Sequence, residues 1–207
     1  MAIIRSSATT DELIIDTTSK AARVTLYRTD GTIVPAFDIR NYYRASVAAS
    51  FVAPAGTTPF FAIQGSSSKI VRIIAIKYNG MTLTTTAYQT IICQKRSSTT
   101  TGGTATALVQ VPNDSAHSAG SLSLCSVYTA APTAGTLVGT IDAQRFLAAD
   151  TTPTTLIAEK NIFEFYFNHE DGVFLRGVDQ GVTLSFAVAP ATAVTMAVSV
   201  LWSESNI

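Results

Sequence analysis

The residues best suited to chemistry in this chain are two histidines and a few scattered carboxylates. His169 ends an apolar run and is followed by Glu170 and Asp171, an arrangement that suits a metal site or an acid–base pair. His117 lies alone in a loop of small and polar residues. Because no second histidine or cysteine is spaced to complete a metal shell, we interpret His169 as a polar strand end before an Asp-Gly turn.

Other sequence motifs of enzymes are missing. The chain has no G-x-S-x-G elbow, and Gly102-Gly103 lacks the Lys-Ser/Thr of a phosphate-binding loop. Asp150, Glu159 and Glu164 are the carboxylates that would pair in a glycosidase, but the sequence does not place them face to face. We therefore predict no catalytic residue, no metal and no cofactor, and we rank a hydrolase last among the possible functions.

Two segments are candidate interfaces instead. The first is the densest aromatic and basic cluster of the chain, which consists of Arg40, Tyr42, Tyr43 and Arg44. Tyr and Arg are enriched at interface hot spots, so the cluster suits a partner; packing of the same residues on their own domain remains the open alternative.

The second candidate interface is the loop that follows Lys95-Arg96 and contains Thr99, Thr100 and Thr101. It is long, uncharged and rich in Ser, Thr and Gly. Such a loop offers hydrogen-bond donors and acceptors without charge, so it can settle on a neutral protein surface with little desolvation of charged groups. We predict that it contacts a neighbouring subunit.

The charge balance excludes one large class of partner. The chain has 207 residues, of which 14% are charged, and its 14 basic residues balance its 14 acidic ones. Binding of nucleic acid through a broad basic face needs an excess of Lys and Arg, so we expect no nucleic-acid partner. A neutral surface also resists association poorly, which favours a protein whose surface is partly covered by neighbours.

The hydropathy pattern predicts neither a leader nor a membrane span. The longest apolar run near the start, Ala2–Ile4, is too short for a signal peptide, and no segment approaches 18 uninterrupted apolar residues. We expect Cys93 and Cys125, which lie on different apolar runs, to be buried free thiols.

Alternation of apolar and polar residues predicts β-strands nearly everywhere. In residues 194–202 every second side chain is apolar and large, and residues 182–188 repeat this pattern. The five residues between them predict an antiparallel hairpin. In residues 161–169, three phenylalanines share one face of a further strand.

Residues 70–78 are apolar on both faces, which predicts a strand in the middle of a sheet, and Asn79-Gly80 predicts a type I′ turn directly after it. The best candidate for a helix is a turn or two within residues 38–49. Further strands are predicted around residues 60–64, 87–95, 105–111, 122–128 and 136–146.

About nine strands with polar turns follow residue 58, which predicts an all-β fold, an antiparallel β-sandwich similar to a jelly roll. Residues 1–57 differ in composition and predict an N-terminal arm or small β subdomain for attachment. Residues 58–207 form the predicted sandwich domain.

Residues 80–141 contain an ordered series of short motifs. A strand ends in a basic pair, a Thr/Gly-rich loop follows, and P-x-D-S (Pro112–Ser115) and Y-T-A-x-P (Tyr128–Pro132) come next. The chain closes on V-x-V-x-W-S-E (Val198–Glu204). This pattern resembles structural proteins of tailed-bacteriophage particles, from about residue 58 to the end.

The resemblance implies a β-sandwich that decorates or cements a capsid or joins tail components. We therefore expect a non-enzymatic capsid decoration protein of the virion, assembled in the host cytoplasm. Its expected partners are the major capsid protein or other virion proteins and further copies of itself, with a homotrimer expected by analogy, and neither nucleic acid nor membrane. The alternative is a tail or fibre component that binds host glycan or protein.

Overall fold

The computed structural model describes residues 3–5, 12–15, 22–24, 26–27, 33–34, 41–51, 58–83, 87–115, 123–150, 162–167, 172–190 and 194–206. The chain divides into two compact units, Met1–Arg40 and Asn41–Ile207. Within the described part of the chain, all regular structure is β-strand, and no helix is long and apolar enough to span a membrane.

The first unit contains two small antiparallel sheets. Strands β1 (Ile3–Arg5), β2 (Glu12–Ile15) and β3 (Ala22–Val24) form one sheet in chain order. Strands β4 (Leu26–Tyr27) and β5 (Ile33–Val34) form the other.

The second unit contains the remaining twelve strands. These are β6 (Asn41–Phe51), β7 (Pro59–Gln64), β8 (Lys69–Leu83), β9 (Ala87–Arg96), β10 (Ala105–Ala107), β11 (Val111–Pro112), β12 (Cys125–Tyr128), β13 (Leu137–Asp150), β14 (Ile162–Tyr166), β15 (Val173–Arg176), β16 (Gly181–Phe186) and β17 (Val194–Asn206).

These strands form two antiparallel sheets that pack face to face, as the sequence predicted for a β-sandwich. The first sheet has the order β11-β6-β17-β8, and β14 and β15 pair with successive parts of the far edge of β8. The second has the order β10-β12-β7-β16-β9-β13. The long strands β6, β7, β8 and β9 alternate between the sheets, and so do β16 and β17, which is the connectivity of a jelly-roll-like sandwich.

The core lies between the sheets and follows the alternation in the sequence. On β17 the buried side chains are Val194, Met196, Val198, Val200 and Trp202, each at most 2% exposed. Phe165 and Phe167 are buried on the inner face of the chain around β14, and Phe163 packs partly against the same cluster. Since one face of each strand is apolar, a shift by one residue would expose the whole set, and the register is therefore strongly specified.

The predicted hairpin between residues 182–188 and 194–202 is wrong. β16 pairs with β7 and β9 in the second sheet, whereas β17 pairs with β6 and β8 in the first. The chain crosses from one layer to the other between them, so their apolar faces oppose each other across the core and do not lie side by side.

Two local predictions are also wrong. Residues 41–51 form strand β6, and no helix, because Tyr43 and Ala45 alternate into the core while β17 supplies an eleven-residue pairing. Asn79-Gly80 does not form a turn, since β8 continues to Leu83. The register between β8 and β17 shifts at this point, so Gly80 lies in a β-bulge.

The pairing of β6 also bears on the division of the chain into units. The predicted boundary follows residue 57, and the two compact units divide between Arg40 and Asn41. Because β6 is hydrogen-bonded to β17 from Asn41 to Phe51, residues 41–51 are part of the sandwich.

Candidate functional site

The Tyr–Arg cluster predicted as an interface is divided between the two faces of β6. Tyr43 is 4% exposed and stacks on Trp202 in the core, with ring centroids 5.8 Å apart. Burial is the main cause of the raised pKa of Tyr43. Arg44 faces outward and donates a hydrogen bond from Nε to Oδ1 of Asn113, 3.1 Å away. Tyr42 is half-buried, and Arg40 lies outside the described residues.

Arg44 belongs to a regular array of side chains on the outer face of the first sheet. The registers across β6, β17, β8 and β14 place these residues in rows. The first row is Arg44, Leu201, Ala75 and Tyr166. The second row is Ser46, Ser199, Lys77 and Glu164. The third row is Ala48, Ala197 and Asn79. Neighbouring strands lie about 4.8 Å apart, so a row of four spans roughly 14 Å.

These three rows enclose a depression that we call the outer trough. Its floor consists of short side chains such as Ser46, Ala75 and Ser199, and the longer side chains stand around it. Two adjoining cavities of about 380 Å³ and 330 Å³ share Ser46, Lys77 and Ser199. Lys77 Nζ lies 3.2 Å from Oε1 of Glu164, and Tyr166 is 64% exposed.

The sequence analysis missed the outer trough. The available signal was the run of small residues at outward positions of two separate strands, Ser46 and Ala48 on β6 and Ala197 and Ser199 on β17. Only the register shows that these positions adjoin each other, and it also brings Lys77 beside them.

The threonine loop predicted as an interface is tied to its own chain at its start. Thr101 exchanges two backbone hydrogen bonds with Thr133, of 3.0 and 2.7 Å. Thr99 Oγ1 donates to the carbonyl oxygen of Val178 at 3.4 Å, and Thr100 is buried. Thr99 is exposed, and so is the segment from Thr101 to the start of strand β10 at Ala105. The contact of Thr99, Thr100 and Thr101 with another subunit stays a prediction.

A buried polar network lies beneath the start of this loop, on the outer face of the second sheet. Arg96, 6% exposed, donates from Nε to Thr183 Oγ1 (3.2 Å), from Nη1 to the carbonyl oxygen of Gly135 (3.0 Å) and from Nη2 to Gln94 Oε1 (2.5 Å). Ser185 Oγ donates to the same Gln94 oxygen at 3.3 Å. Burial lowers the pKa of Arg96. Since these acceptors are neutral, hydrogen bonds satisfy the guanidinium without a carboxylate partner in the network.

A third feature is the apolar edge of the second sheet. Val138 and Ile141 are the residues skipped where β13 pairs with β9, and they are 60% and 37% exposed. Leu137 and Leu147 on the same strand are 50% and 47% exposed. A bulge changes the direction of the side chain of its extra residue. The side chains of Val138 and Ile141 are therefore exposed and are not covered by the core of the sandwich.

The groups that suit chemistry are not gathered into a site in the described part of the chain. Cys93 and Cys125 are free and buried, as predicted, and burial raises the pKa of both thiols, which keeps them in the less reactive neutral form. Glu164 pairs with Lys77 in the outer trough. Both histidines, Glu159 and the side chain of Asp150 lie outside the described residues.

Among the described residues, no group of three or more His, Cys, Asp and Glu side chains is placed to hold a metal ion. The chain matches no protein-family model, no curated protein and no solved structure.

Proposed function

We propose that this protein is a non-enzymatic structural protein of a tailed-bacteriophage particle, and more specifically a capsid decoration protein that stabilises the shell through subunit contacts. The resemblance of residues 58–207 to such proteins suggests this role. The observation that carries the proposal is the set of exposed apolar side chains along β13.

Large apolar side chains that stand together on a surface mark an interaction site, because their burial is the main favourable term in association. Leu137, Val138, Ile141 and Leu147 are large apolar side chains that are exposed along one strand. Residues 137–148 pair with β9, and no described strand pairs with the other edge of β13 there. The bulges at Val138 and Ile141 interrupt a regular edge, which favours contact through side chains over addition of a foreign strand.

The exposed half of the threonine loop suits the same role. Residues 101–104, between Thr100 and strand β10, carry hydroxyl and backbone groups and no charge. A specific contact buries about 1,600 Å² in total, and a surface without charges loses little solvation when it is covered. Repetition of one contact by the symmetry of a shell adds avidity beyond a single interface. In this proposal the protein is a homo-oligomer, a trimer by analogy, that binds the major capsid protein.

Co-sedimentation with shells assembled from the major capsid protein of the same particle tests the proposal. We expect the purified chain to sediment with the shells at a fixed molar ratio to the shell protein. Replacement of both Val138 and Ile141 by Lys should abolish co-sedimentation, whereas Val188→Lys, at a site outside β13 that is 75% exposed, should not. A chain that remains in the supernatant at every ratio would refute the proposal.

The attachment role of the N-terminal arm needs a separate test. A deletion must end at Arg40, because Asn41 begins β6 and a longer deletion would remove part of the sandwich. We expect the chain without residues 1–40 to keep its thermal unfolding midpoint and to lose its binding to shells. Binding that persists at the same ratio would assign attachment to the sandwich alone.

A further inference from the structure

The outer trough has the shape of a site for an extended ligand. Its floor lies close to the backbone of the sheet because the side chains of Ser46, Ala75 and Ser199 are short. The two cavities adjoin each other along the sheet. A ligand in this position would lie flat on the sheet and contact several strands at once. The width of one row, roughly 14 Å, exceeds the size of a single small metabolite.

The chemistry of the trough suits a polyhydroxylated chain. Tyr166, 64% exposed at one end of the first row, offers the face of an aromatic ring on which the C–H groups of a sugar can stack. Hydroxyl groups of Ser46 and Ser199, the amide of Asn79 and the Lys77–Glu164 pair supply donors and acceptors between the two ends. An amphipathic helix needs a continuous apolar stripe, which this floor of Ser and Ala does not offer.

The charges of the trough favour an acidic ligand. Two cations, Arg44 and Lys77, line it beside one carboxylate, Glu164. The described contacts of the Arg44 guanidinium involve Nε alone, which leaves Nη1 and Nη2 available to a ligand. A guanidinium binds carboxylates through paired, charge-assisted hydrogen bonds.

We propose that the outer trough binds a carboxylated oligosaccharide, with a sugar ring stacked on Tyr166 and a carboxylate held by Arg44. This inference does not depend on the proposed role in a capsid. It assigns a ligand-binding function to a face that lies on the sheet opposite β13.

The test measures binding of the full chain to four probes by calorimetric titration: trigalacturonate and 3′-sialyllactose, and the neutral sugars galactotriose and lactose. We expect saturable binding of at least one acidic probe, at least tenfold tighter than its neutral counterpart. Tyr166→Ala and Ser46→Trp should each weaken this binding at least tenfold. Arg44→Met should remove the preference for the acidic probe.

A matched pair on the second sheet provides the control. Tyr88 is 65% exposed, and the guanidinium of Arg145 lies 4.7 Å from its ring centroid. Tyr88→Ala and Arg145→Met should leave binding unchanged, and far-ultraviolet circular dichroism reports whether each variant is folded. Failure of every probe to bind the folded wild-type chain would overturn the inference, as would an equal loss of binding in Tyr88→Ala and Tyr166→Ala. An oligomer that dissociates on Ser46→Trp would also overturn it and assign the trough to a contact between copies.

Discussion

Two polar regions on the outer faces of the sheets, the Arg96 network on the second sheet and the outer trough on the first, carry similar side chains but have opposite exposures. On the second sheet, Gln94, Thr183 and Ser185 are at most 5% exposed, because segments of the same chain cover them. On the first sheet, Lys77 and Tyr166 stand open beside the outer trough. Both faces share one core between the sheets.

This difference shows that residue type alone does not decide which face of a strand meets water. A covered polar face must satisfy its hydrogen bonds internally, and the Arg96 network does this with neutral acceptors. An open polar face leaves the same groups to solvent or to a ligand. We therefore expect substitutions on the covered face to change stability and those on the open face to change binding.

The largest expected effect comes from the centre of the covered face. Arg96→Met removes three hydrogen bonds from buried acceptors and should lower the free energy of unfolding by about 3 kcal/mol. Arg44→Met, on the open face, should change it by less than about 0.5 kcal/mol. Denaturant unfolding followed by the fluorescence of the single tryptophan, Trp202, measures both values. Equal losses in the two variants would contradict the comparison.

A smaller effect on the free energy of unfolding is expected at Gly135, in a segment that covers the outer face of the second sheet near Arg96. A methyl group at Gly135 would overlap the carbonyl oxygen of Ser98, so Gly135→Ala should cost about 2 kcal/mol through displacement of the covering segment. Gly139 has open space around its Cα, and Gly139→Ala should change the free energy of unfolding by less than about 0.5 kcal/mol. The same denaturant titration measures both values. An unchanged free energy of unfolding in Gly135→Ala would show that the segment around Gly135 shifts at no cost.

Alkaline pH tests the core that both faces share. Burial raises the pKa of the Cys93 and Cys125 thiols above the ordinary value of 9.0, so the folded chain holds these protons to higher pH than the unfolded chain does. Their contribution to stability is therefore complete below pH 9 and is lost as the pH rises above it, by up to about 1.4 kcal/mol per pH unit for each thiol. Between pH 9 and 9.5 we expect a combined loss of about 1 kcal/mol.

Unfolding titrations between pH 7 and pH 10 measure this loss. The variant with Ala at both cysteines should show a shallower decline than the wild-type chain. Arg44→Met should follow the wild-type slope, because it does not touch the core. Identical slopes with and without the thiols would assign the decline to other groups.

The smallest expected effect belongs to the ion pair on the open face. The side chains of Lys77 and Glu164 are 47% and 34% exposed, so water screens their attraction. Lys77→Met should change the free energy of unfolding by less than about 0.5 kcal/mol, and this change should shrink further in high salt. A loss above 1 kcal/mol, measured by the same unfolding titration, would show that side chains on the open face contribute to stability as well as to binding.

Several elements were predictable from the sequence because they depend on neighbours along the chain. The alternation from Val194 to Trp202 predicted both the strand and its buried face, and the structure confirms both. The apolar character of residues 70–78 predicted a central strand, and β8 has partners on both edges. These patterns work because successive side chains of a strand point to opposite faces.

The wrong predictions share a cause. The hairpin between residues 182–188 and 194–202 assumed that strands close in sequence pair with each other, but the chain changes sheets between them. The prediction of a helix within residues 38–49 did not take into account that β17 pairs with β6 along its whole length. In each case a long-range pairing outweighed the local signal.

The sequence by itself determined the fold class and the inward face of each long strand, since these follow from side-chain alternation and the need to bury apolar surface. Only the tertiary structure decided which outward faces are covered. Ser199 and Thr183 are both small hydroxyl residues on outward faces, yet Ser199 lines an open trough and Thr183 is 1% exposed beneath Arg96. Their difference arises from contacts between segments far apart in the chain, and such contacts leave no pattern in the residues next to either position.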